Sequence, residues 1–304
     1  MSFKESFINL APDFVTKLFA APYIAGDSEE AGVAAARALW NTRRIHSTID
    51  LLGEEVTVDS EVQTTIDSYH TLIDLLGEQE FATISLKPTQ LGSHKSTAYC
   101  QDVIARICED AGNSKIPVTI DMEDSSYTDM TLEIYKNLLP SFPTLGTVLQ
   151  TRLFRTGQDI KNLRGLKARV RLCIGIYLEP PAIALQRKPD MKRMLLEQAE
   201  VMLDDGHYVE LGTHDEHLIE QLLNMIERRG FTNDQYEIQM LMGVPRIPLQ
   251  DALVKQGITV RYYVPYAVIW KHAFAYSKRR LAANPRMGLY IARNLVRSIF
   301  RRNR

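Results

Sequence analysis

The sequence has no long hydrophobic segment. Its longest apolar stretches have the length of a β-strand and fall far short of the roughly 18 residues that a helix needs to cross a bilayer. The first ten residues include Lys4 and Glu5 and lack the continuous apolar core of a secretory signal. We therefore predict a cytoplasmic protein without a transmembrane helix.

Neither an excess of charge nor a set of cysteines indicates a particular partner. The chain of 304 residues contains 36 basic and 37 acidic residues, for a net charge of −1. No overall field therefore attracts nucleic acid. Its three cysteines, Cys100, Cys108 and Cys173, form neither an even set nor a zinc-binding cluster. We expect no nucleic-acid partner and three reduced thiols.

The motifs of several common enzyme classes are absent too. The chain contains no G-x-G-x-x-G, no G-x-x-x-x-G-K-[ST] and no G-x-S-x-G. A Rossmann site for a nicotinamide cofactor, a P-loop and a hydrolase nucleophile elbow therefore have no support. No linker rich in proline, glycine or serine divides the chain.

What the sequence does contain is a repeated alternation of strand-like and helix-like segments. Eight short runs rich in β-branched and apolar residues are each followed by a segment with helical spacing, which predicts an α/β fold. The predicted strands are Ile45–Leu51, Ala82–Lys87, Val118–Met122, Gly146–Thr151, Ala168–Gly175, Tyr208–Thr213, Tyr236–Met242 and Thr259–Pro265. The clearest predicted helices are Ser60–Leu76, Ser96–Ala111, Met191–Leu203 and Asp215–Arg229. Eight parallel strands close a TIM-type (β/α)8 barrel, and such a barrel accommodates a chain of this length in one domain.

Two end segments flank the predicted barrel. Residues 1–40 would form an N-terminal helical extension. The catalytic barrel would span 41–304, with C-terminal helices at about 267–283 and 287–300 separated by Asn284-Pro285. The basic residues near the C-terminus are Arg297, Arg301, Arg302 and Arg304. They are typical of a solvated helix end, and a second interpretation is peripheral contact with an anionic membrane surface.

The polar residues at the ends of the predicted strands are candidates for chemistry, because barrels of this type carry their active sites there. A charged residue in an apolar strand needs a partner or a ligand, since burying it alone is costly. The set comprises Asp50, Lys87, Asp121, Gln150, Arg171, Thr213, His214, Gln239 and Tyr263. Any one of them could form a structural ion pair, but their convergence on one rim favours a binding site.

Two further patterns suit anionic ligands. Thr213 and Glu216 are spaced as a capping box, which predicts a helix that begins after the sixth strand and offers N–H groups to a phosphate. Tyr276, Arg279 and Arg280 lie on one side of the helix predicted after the eighth strand, and two guanidinium groups can bind one carboxylate. An adjacent arginine pair is also compatible with a solvated helix face.

A metal centre is an alternative interpretation. Hard or borderline ligands occur near the ends of the third and sixth predicted strands: Asp121, Glu123, Asp124, His214, Asp215 and His217. Such a site would make the protein a metal-dependent barrel hydrolase or isomerase. His214 and His217, however, fall at the start of the helix that the capping box predicts, which argues against a metal.

A family resemblance rests on segments at the strand ends and in the loops that follow. They are Ser85-Leu-Lys-Pro-Thr-Gln-Leu-Gly92, Thr119-Ile-Asp-Met-Glu-Asp124, Val148-Leu-Gln150, Val170-Arg-Leu172, Tyr177-Leu-Glu-Pro180, Gly212-Thr-His-Asp215, Ile238-Gln-Met-Leu241, Tyr263-Val-Pro-Tyr266 and Tyr276-x-x-Arg-Arg280. In this order, from about residue 20 to 285, they resemble the bacterial single-domain proline dehydrogenases, FAD-dependent enzymes with a distorted (β/α)8 barrel. The resemblance implies oxidation of L-proline to 1-pyrroline-5-carboxylate in proline catabolism. It also implies hydride transfer to FAD and a quinone or another electron acceptor.

The resemblance further implies roles for individual residues. Asp121 and Arg171 would be the catalytic residues, with Arg171 beside the flavin. The substrate-binding residues would be Lys87, Tyr263, Tyr276, Arg279 and Arg280. The flavin-binding residues would be Met122, Gln150, Arg171, Gly175, Thr213, His214 and Gln239. It implies no metal ligand.

Three positions depart from the pattern of this family. Ile174 replaces a usual lysine, Ala267 a glycine, and Ala283 an acidic residue. These departures leave two alternatives open. The same fold could oxidise another cyclic or N-substituted amino acid, or the protein could bind flavin without catalysing a reaction.

Overall fold

A computed structural model describes residues 23–244, 246–269, 271–274 and 276–277. Eight parallel strands form a closed barrel in chain order, with β1 pairing with β8 from His46↔Arg261 to Leu51↔Tyr266. The strands are β1 His46–Leu51, β2 Ala82–Leu86, β3 Val118–Ile120, β4 Gly146–Gln150, β5 Arg169–Cys173, β6 Tyr208–Gly212, β7 Tyr236–Leu241 and β8 Val260–Tyr266. The predicted eight-stranded barrel is confirmed.

Helices surround the barrel and separate the strands. They are α1 Glu29–Arg43, α2 Asp59–Leu76, α3 Thr97–Asn113, α4 Thr128–Leu138, α5 Thr156–Lys161, α6 Lys188–Asp204, α7 Glu216–Arg229 and α8 Ile247–Lys255. Within the part of the chain that the structure describes, none of these helices has the length and apolar character needed to span a bilayer.

Helix α3 illustrates how the sequence determines these elements. Ser96 caps the helix by accepting a hydrogen bond from the backbone N–H of Tyr99 at 3.1 Å. Cys100, Ile104 and Cys108 recur at helical spacing and are buried against the barrel. Burial raises the pKa of both thiols to about 12. They are therefore protonated packing groups at neutral pH.

The barrel interior is polar, whereas barrels of this type usually fill it with branched apolar residues. Ser85, Asp121 and Arg171 contact one another although β2, β3 and β5 are not all neighbours, so their side chains point inward. The intervening residues, such as Ile84 and Leu172, face outward into the apolar layer beneath the helices. This alternation places charge in the centre of the fold and the hydrophobic core around it.

The structure corrects the predicted start of α7. Asp215 is the N-cap residue, and its carboxylate accepts a hydrogen bond from the backbone N–H of Leu218 at 3.0 Å. Thr213 lies two residues earlier, where its hydroxyl accepts from the N–H of Asp215. The predicted capping box of Thr213 and Glu216 is therefore wrong, because a second capping residue lay closer to the helix.

The predicted terminal segments are only partly within the described residues. Helix α1 lies in the predicted extension 1–40, continues to Arg43, and contacts β1 and β8. The C-terminal helix predicted from residue 267 is helical at 271–274 and 276–277, but 267–269 are not helical. The remaining residues of that helix, the second C-terminal helix and the basic tail lie outside the described residues.

Candidate active site

The centre of the site is the buried carboxylate of Asp121, at the C-terminal end of β3. Its Oδ1 accepts hydrogen bonds from Arg171 Nη1 at 2.6 Å and Ser85 Oγ at 3.0 Å. Its Oδ2 accepts from the hydroxyl of Tyr263 and lies 3.8 Å from Lys87 Nζ. Residues of β2, β3, β5 and β8 therefore meet at one carboxylate.

Lys87 connects this carboxylate to a second one. Its Nζ donates to Asp50 Oδ1 at 2.6 Å and lies 3.5 Å from the Tyr263 hydroxyl. Asp50, Lys87, Asp121 and Arg171 thus form a row of alternating charge. The alternation offsets the cost of removing four charged groups from water.

The protonation states in this row follow from burial and neighbouring charge. Burial alone would raise the pKa of Asp121, but Arg171 and Lys87 outweigh it and hold the pKa below its usual value. Burial alone would lower the pKa of Lys87, but Asp50 and Asp121 outweigh it and raise the pKa. Burial raises the pKa of Asp50 to about 6. At neutral pH the charged form of each group in the row therefore predominates.

Arg171 is fixed on several sides. Besides Asp121, it donates from Nε to Gln239 Oε1 at 2.6 Å and from Nη2 to Ser85 Oγ at 3.3 Å. Its Cζ lies 5.0 Å from the ring centroid of Tyr263. The contacts within the chain therefore give the guanidinium group a defined position.

Four charged residues closer to the N-terminal end of the barrel support this row, and sequence reasoning missed all of them: Arg169, Glu210, Glu237 and Arg261. Arg169 pairs with Glu210, and Arg261 pairs with Glu237 at 2.6 Å. A signal was available, because Arg169, Glu237 and Arg261 each precede a predicted site residue of the same strand by two positions. Residues spaced by two share a face of a strand.

Gln150 and Gly175 form the candidate cofactor face at the ends of β4 and β5. Gln150 Nε2 donates to the carbonyl of Glu123 at 2.8 Å, whereas its buried Oε1 has no hydrogen-bond partner in the described part of the chain. Gly175 has φ +98°, and a Cβ at this position would lie 2.4 Å from Gln150 Oε1. The backbone of Gly175, which carries no side chain, thus lies next to the Gln150 oxygen that accepts no hydrogen bond among the described residues.

The other predicted cofactor residues continue along the same rim. Met122 is buried directly after β3, and Gln239 holds Arg171 from β7. Thr213 follows β6, and the next residue, His214, accepts a hydrogen bond at Nε2 from the N–H of Leu241 at 3.2 Å. The predicted residues therefore follow the strand ends from β3 to β7.

The residues of the alternative metal site do not converge. Asp121 binds Arg171, Glu123 binds Thr89, and His214 binds the backbone of β7. Among the described residues, no group of three histidine, cysteine or acidic side chains is placed to hold a metal ion.

Of the predicted substrate-binding residues beyond β8, only Tyr276 is described. It is buried in a small apolar cluster whose other members are Ile24, Leu52, Ala267 and Ala273. Leu52 and Ala267 directly follow β1 and β8, so this cluster lies at the same end of the barrel as the charged row. Arg279 and Arg280 lie outside the described residues.

Comparison with known proteins gives consistent matches. A sequence model of the family described as proline dehydrogenase matches residues 33–179 and 184–287. The chain is 31% identical to proline dehydrogenase 1 of Bacillus subtilis (strain 168) over 298 residues, which is 98% of this chain and 97% of that protein. It is 33% identical to proline dehydrogenase 2 of the same strain over 285 residues, 93% of this chain and 92% of that protein. It is 30% identical to proline dehydrogenase of Deinococcus radiodurans, with 90% and 89% covered.

Solved structures agree on the fold. Proline utilization A (PutA) from Bdellovibrio bacteriovorus, inactivated by N-propargylglycine, superposes with a TM-score of 0.79 at 22% identity. The match covers 86% of this chain and 32% of that one, so this chain spans about a third of the larger protein. PutA from Bradyrhizobium japonicum gives a TM-score of 0.73 at 18% identity, with 86% and 30% covered.

Proposed function

The chain belongs to the proline dehydrogenase family, and from that premise we propose that it oxidises L-proline to 1-pyrroline-5-carboxylate with a bound FAD. The ring carbon next to nitrogen would lose a hydride to the flavin, the N–H proton of the neutral amine would pass to solvent, and a C=N bond would form. The electrons then pass to a quinone or another acceptor. The observation that carries this proposal is the buried row of alternating charge at the C-terminal end of the barrel.

Several residues fit a flavin. The unused acceptor Gln150 Oε1 can receive a hydrogen bond from a ring N–H, and Gly175 leaves its backbone open to a planar group. Met122, Thr213, His214 and Gln239 would complete the binding surface along the strand ends. When bound, the flavin supplies a two-electron acceptor that the protein side chains lack.

Arg171 would stabilise negative charge as electrons arrive. It is a permanent cation, and its pKa lies above the usual value because Asp121 and Glu210 outweigh the effect of burial. Its hydrogen bonds hold it in place, so little reorganisation is needed during the reaction. Asp121 would act with it by fixing the guanidinium group, the Tyr263 hydroxyl and the Lys87 ammonium group.

Substrate recognition would use the carboxylate, which does not react. We propose that Arg279 and Arg280 bind it, since two guanidinium groups form strong charge-assisted bonds with one carboxylate. Lys87, Tyr263 and Tyr276 would enclose the ring. Holding the substrate at a group remote from the reacting carbon orients it without altering that carbon.

The visible spectrum of the purified protein tests this function. We expect flavin absorption that bleaches when L-proline is added without oxygen. Arg279→Ala and Arg280→Ala should raise the proline concentration needed for bleaching by at least about tenfold, because a charge-assisted pair contributes more than 1.4 kcal/mol. Arg193→Ala is the matched control, since Arg193 pairs with Glu197 on the exposed face of α6.

Each other outcome has a definite meaning. If only another cyclic amino acid bleaches the flavin, that amino acid and not proline is the substrate. The departures at Ile174, Ala267 and Ala283 are the reason to test other amino acids. A flavin that no amino acid reduces would indicate a noncatalytic flavin-binding protein. A protein that stays colourless after FAD is added would contradict the proposal.

A further inference from the structure

Glu237 lies beneath the site and contacts none of the residues in the charged row. It precedes Gln239 by two positions on β7, so both side chains share the inner face of the strand. Glu237 is 1% exposed. Its carboxylate accepts hydrogen bonds from Arg261 Nε at 2.6 Å, Arg261 Nη2 at 3.0 Å and the Tyr208 hydroxyl at 3.2 Å. Although burial alone would raise the pKa of Glu237, Arg261 outweighs it and lowers the pKa. Glu237 is therefore a carboxylate that only accepts hydrogen bonds.

The side-chain amide of Gln239 connects this carboxylate to the site. Its Nε2 donates to Glu237 Oε1 at 2.6 Å, and its Oε1 accepts from Arg171 Nε at 2.6 Å. A half-turn of the amide would exchange oxygen and nitrogen. It would then place an acceptor against the Glu237 carboxylate and a donor against Arg171, which only donates. The two neighbours therefore permit a single orientation of the amide.

Arg171 has another acceptor within reach. Glu210 Oε2 lies 3.7 Å from Arg171 Nε and has no hydrogen-bond partner among the described residues. If Gln239 turned its amide nitrogen toward Arg171, Glu210 Oε2 would remain as an acceptor 3.7 Å from Nε. The guanidinium group would then be drawn toward Glu210 and away from Asp121.

We propose that Glu237 is a positioning residue that orients Gln239 and thereby holds Arg171 against Asp121 and not against Glu210. The consequence for flavin chemistry rests on the proposed function, whereas the hydrogen bond between Gln239 and Arg171 is a property of the chain itself. The cation that would stabilise the reduced flavin is thus held by a carboxylate two contacts away.

Nuclear magnetic resonance of arginine side chains tests this directly. In protein labelled with 15N-arginine, Arg171→Lys identifies the Arg171 Nη–H signals. Replacing the pair Glu237→Met and Arg261→Met together removes the acceptor of Gln239 without leaving one buried charge alone. We expect hydrogen exchange at Arg171 Nη1–H, which donates to Asp121 at 2.6 Å, to accelerate at least about tenfold, as for loss of one hydrogen bond to a charged group. If the pair variant does not fold, Glu237→Gln, which removes the charge and one acceptor position, should give a change in the same direction.

Two comparisons make the result specific. Gln239→Leu should accelerate exchange to the same extent, and combining it with the Glu237 change should add nothing further, because both act through one contact. Glu210→Gln removes the competing carboxylate, so exchange at Arg171 should be no faster than in the unchanged protein. Unaltered exchange in the pair variant, or additive effects with Gln239→Leu, would overturn the proposal.

The flavin gives an independent measurement. The pair variant should shift the visible absorption bands of bound FAD relative to the unchanged protein. When Gln239→Leu is added to both proteins, their bands should no longer differ. If the unchanged protein binds no FAD, the proposed function fails, and the exchange rate at Arg171 still decides whether Glu237 positions it.

Discussion

At the scale of single residues, the site depends on Asp121 standing between the two buried cations Lys87 and Arg171. Asp121→Asn would leave these cations without their shared carboxylate. We expect the free energy of unfolding in chemical denaturation to fall by about 3–5 kcal/mol. The matched control is Asp129→Asn, because Asp129 pairs with Arg155 at the surface with 85% of its side chain exposed. That pair should contribute about 1 kcal/mol or less, and equal losses in the two variants would contradict the assignment.

Asp50 gives the site a pH dependence with a defined sign. Its pKa of about 6 in the folded protein exceeds the ordinary value of 3.8 because the group is buried. Between these values the folded protein binds more protons than the unfolded chain, so the contribution of Asp50 to stability falls as pH rises. Relative to Asp50→Asn, the unchanged protein should lose on the order of 3 kcal/mol between about pH 4 and pH 7. Urea unfolding across this range measures the difference, and a constant difference would mean that Asp50 titrates as it does in water.

Gly175 is the residue at which an added methyl group should interfere most with the cofactor face. Its φ of +98° disfavours any side chain, and a Cβ would lie 2.4 Å from Gln150 Oε1. Gly175→Ala should therefore lower the affinity for FAD at least about tenfold, since it displaces the acceptor that we assign to the flavin. Gly206→Ala is the matched control, because Gly206 has φ +77° but, among the described residues other than its chain neighbours, no atom lies within 4 Å of its Cβ position. Fluorescence titration with FAD compares them, and equal affinities would show that Gly175 does not contact the flavin.

The sequence allowed only part of this site to be predicted. Lys87, Asp121, Arg171 and Tyr263 lie within or at the end of predicted strands, and the structure brings all four into contact. The supporting layer was missed because a charged residue near the start of a strand also occurs at exposed strand ends. Only strand register, which places Arg171 opposite Glu210 on β6, shows that these charges face one another.

At the scale of elements, alternation of strand-like and helix-like segments was sufficient to predict all eight strands. Their ends were less well predicted: Lys87, Met122 and Thr213 belong to loops, where polar groups leave the sheet for the site. The start of α7 was misplaced because Thr213 and Asp215 both suit an N-cap. Local sequence does not separate them, and the backbone path from β6 decides.

The corrected cap of α7 yields a stability prediction. Asp215→Ala removes the acceptor of the Leu218 N–H and should lower the free energy of unfolding by about 1 kcal/mol. Asp215→Asn retains a capping oxygen and should cost less, although it also loses the ion pair with Lys192. Thermal unfolding compares the two variants. If Asn costs as much as Ala, the ion pair and not the cap is the main contribution of Asp215.

At the scale of the whole molecule, the barrel interior contains a network of buried ion pairs in which basic and acidic side chains are equal in number. Four basic side chains inside it, Lys87, Arg169, Arg171 and Arg261, are matched by four acidic ones, Asp50, Asp121, Glu210 and Glu237. They lie in seven of the eight strands or directly after one of them, with only β4 not represented, and β1 and β8 close the ring. The site is therefore complete only when the whole barrel has closed.

The same reasoning predicts how FAD should affect stability. The residues that we assign to it, including Met122, Gln150 and Gly175, are distributed over the ends of five strands, β3 to β7, so a ligand that contacts them connects a large part of the barrel. FAD at about 100 times its dissociation constant should raise the free energy of unfolding by about 2.7 kcal/mol if it binds only the folded protein. Chemical denaturation with and without FAD measures this gain. Gly206→Ala should retain the gain and Gly175→Ala should lose much of it, because only Gly175 lies on the cofactor face. An equal gain in both variants would place the flavin elsewhere on the molecule.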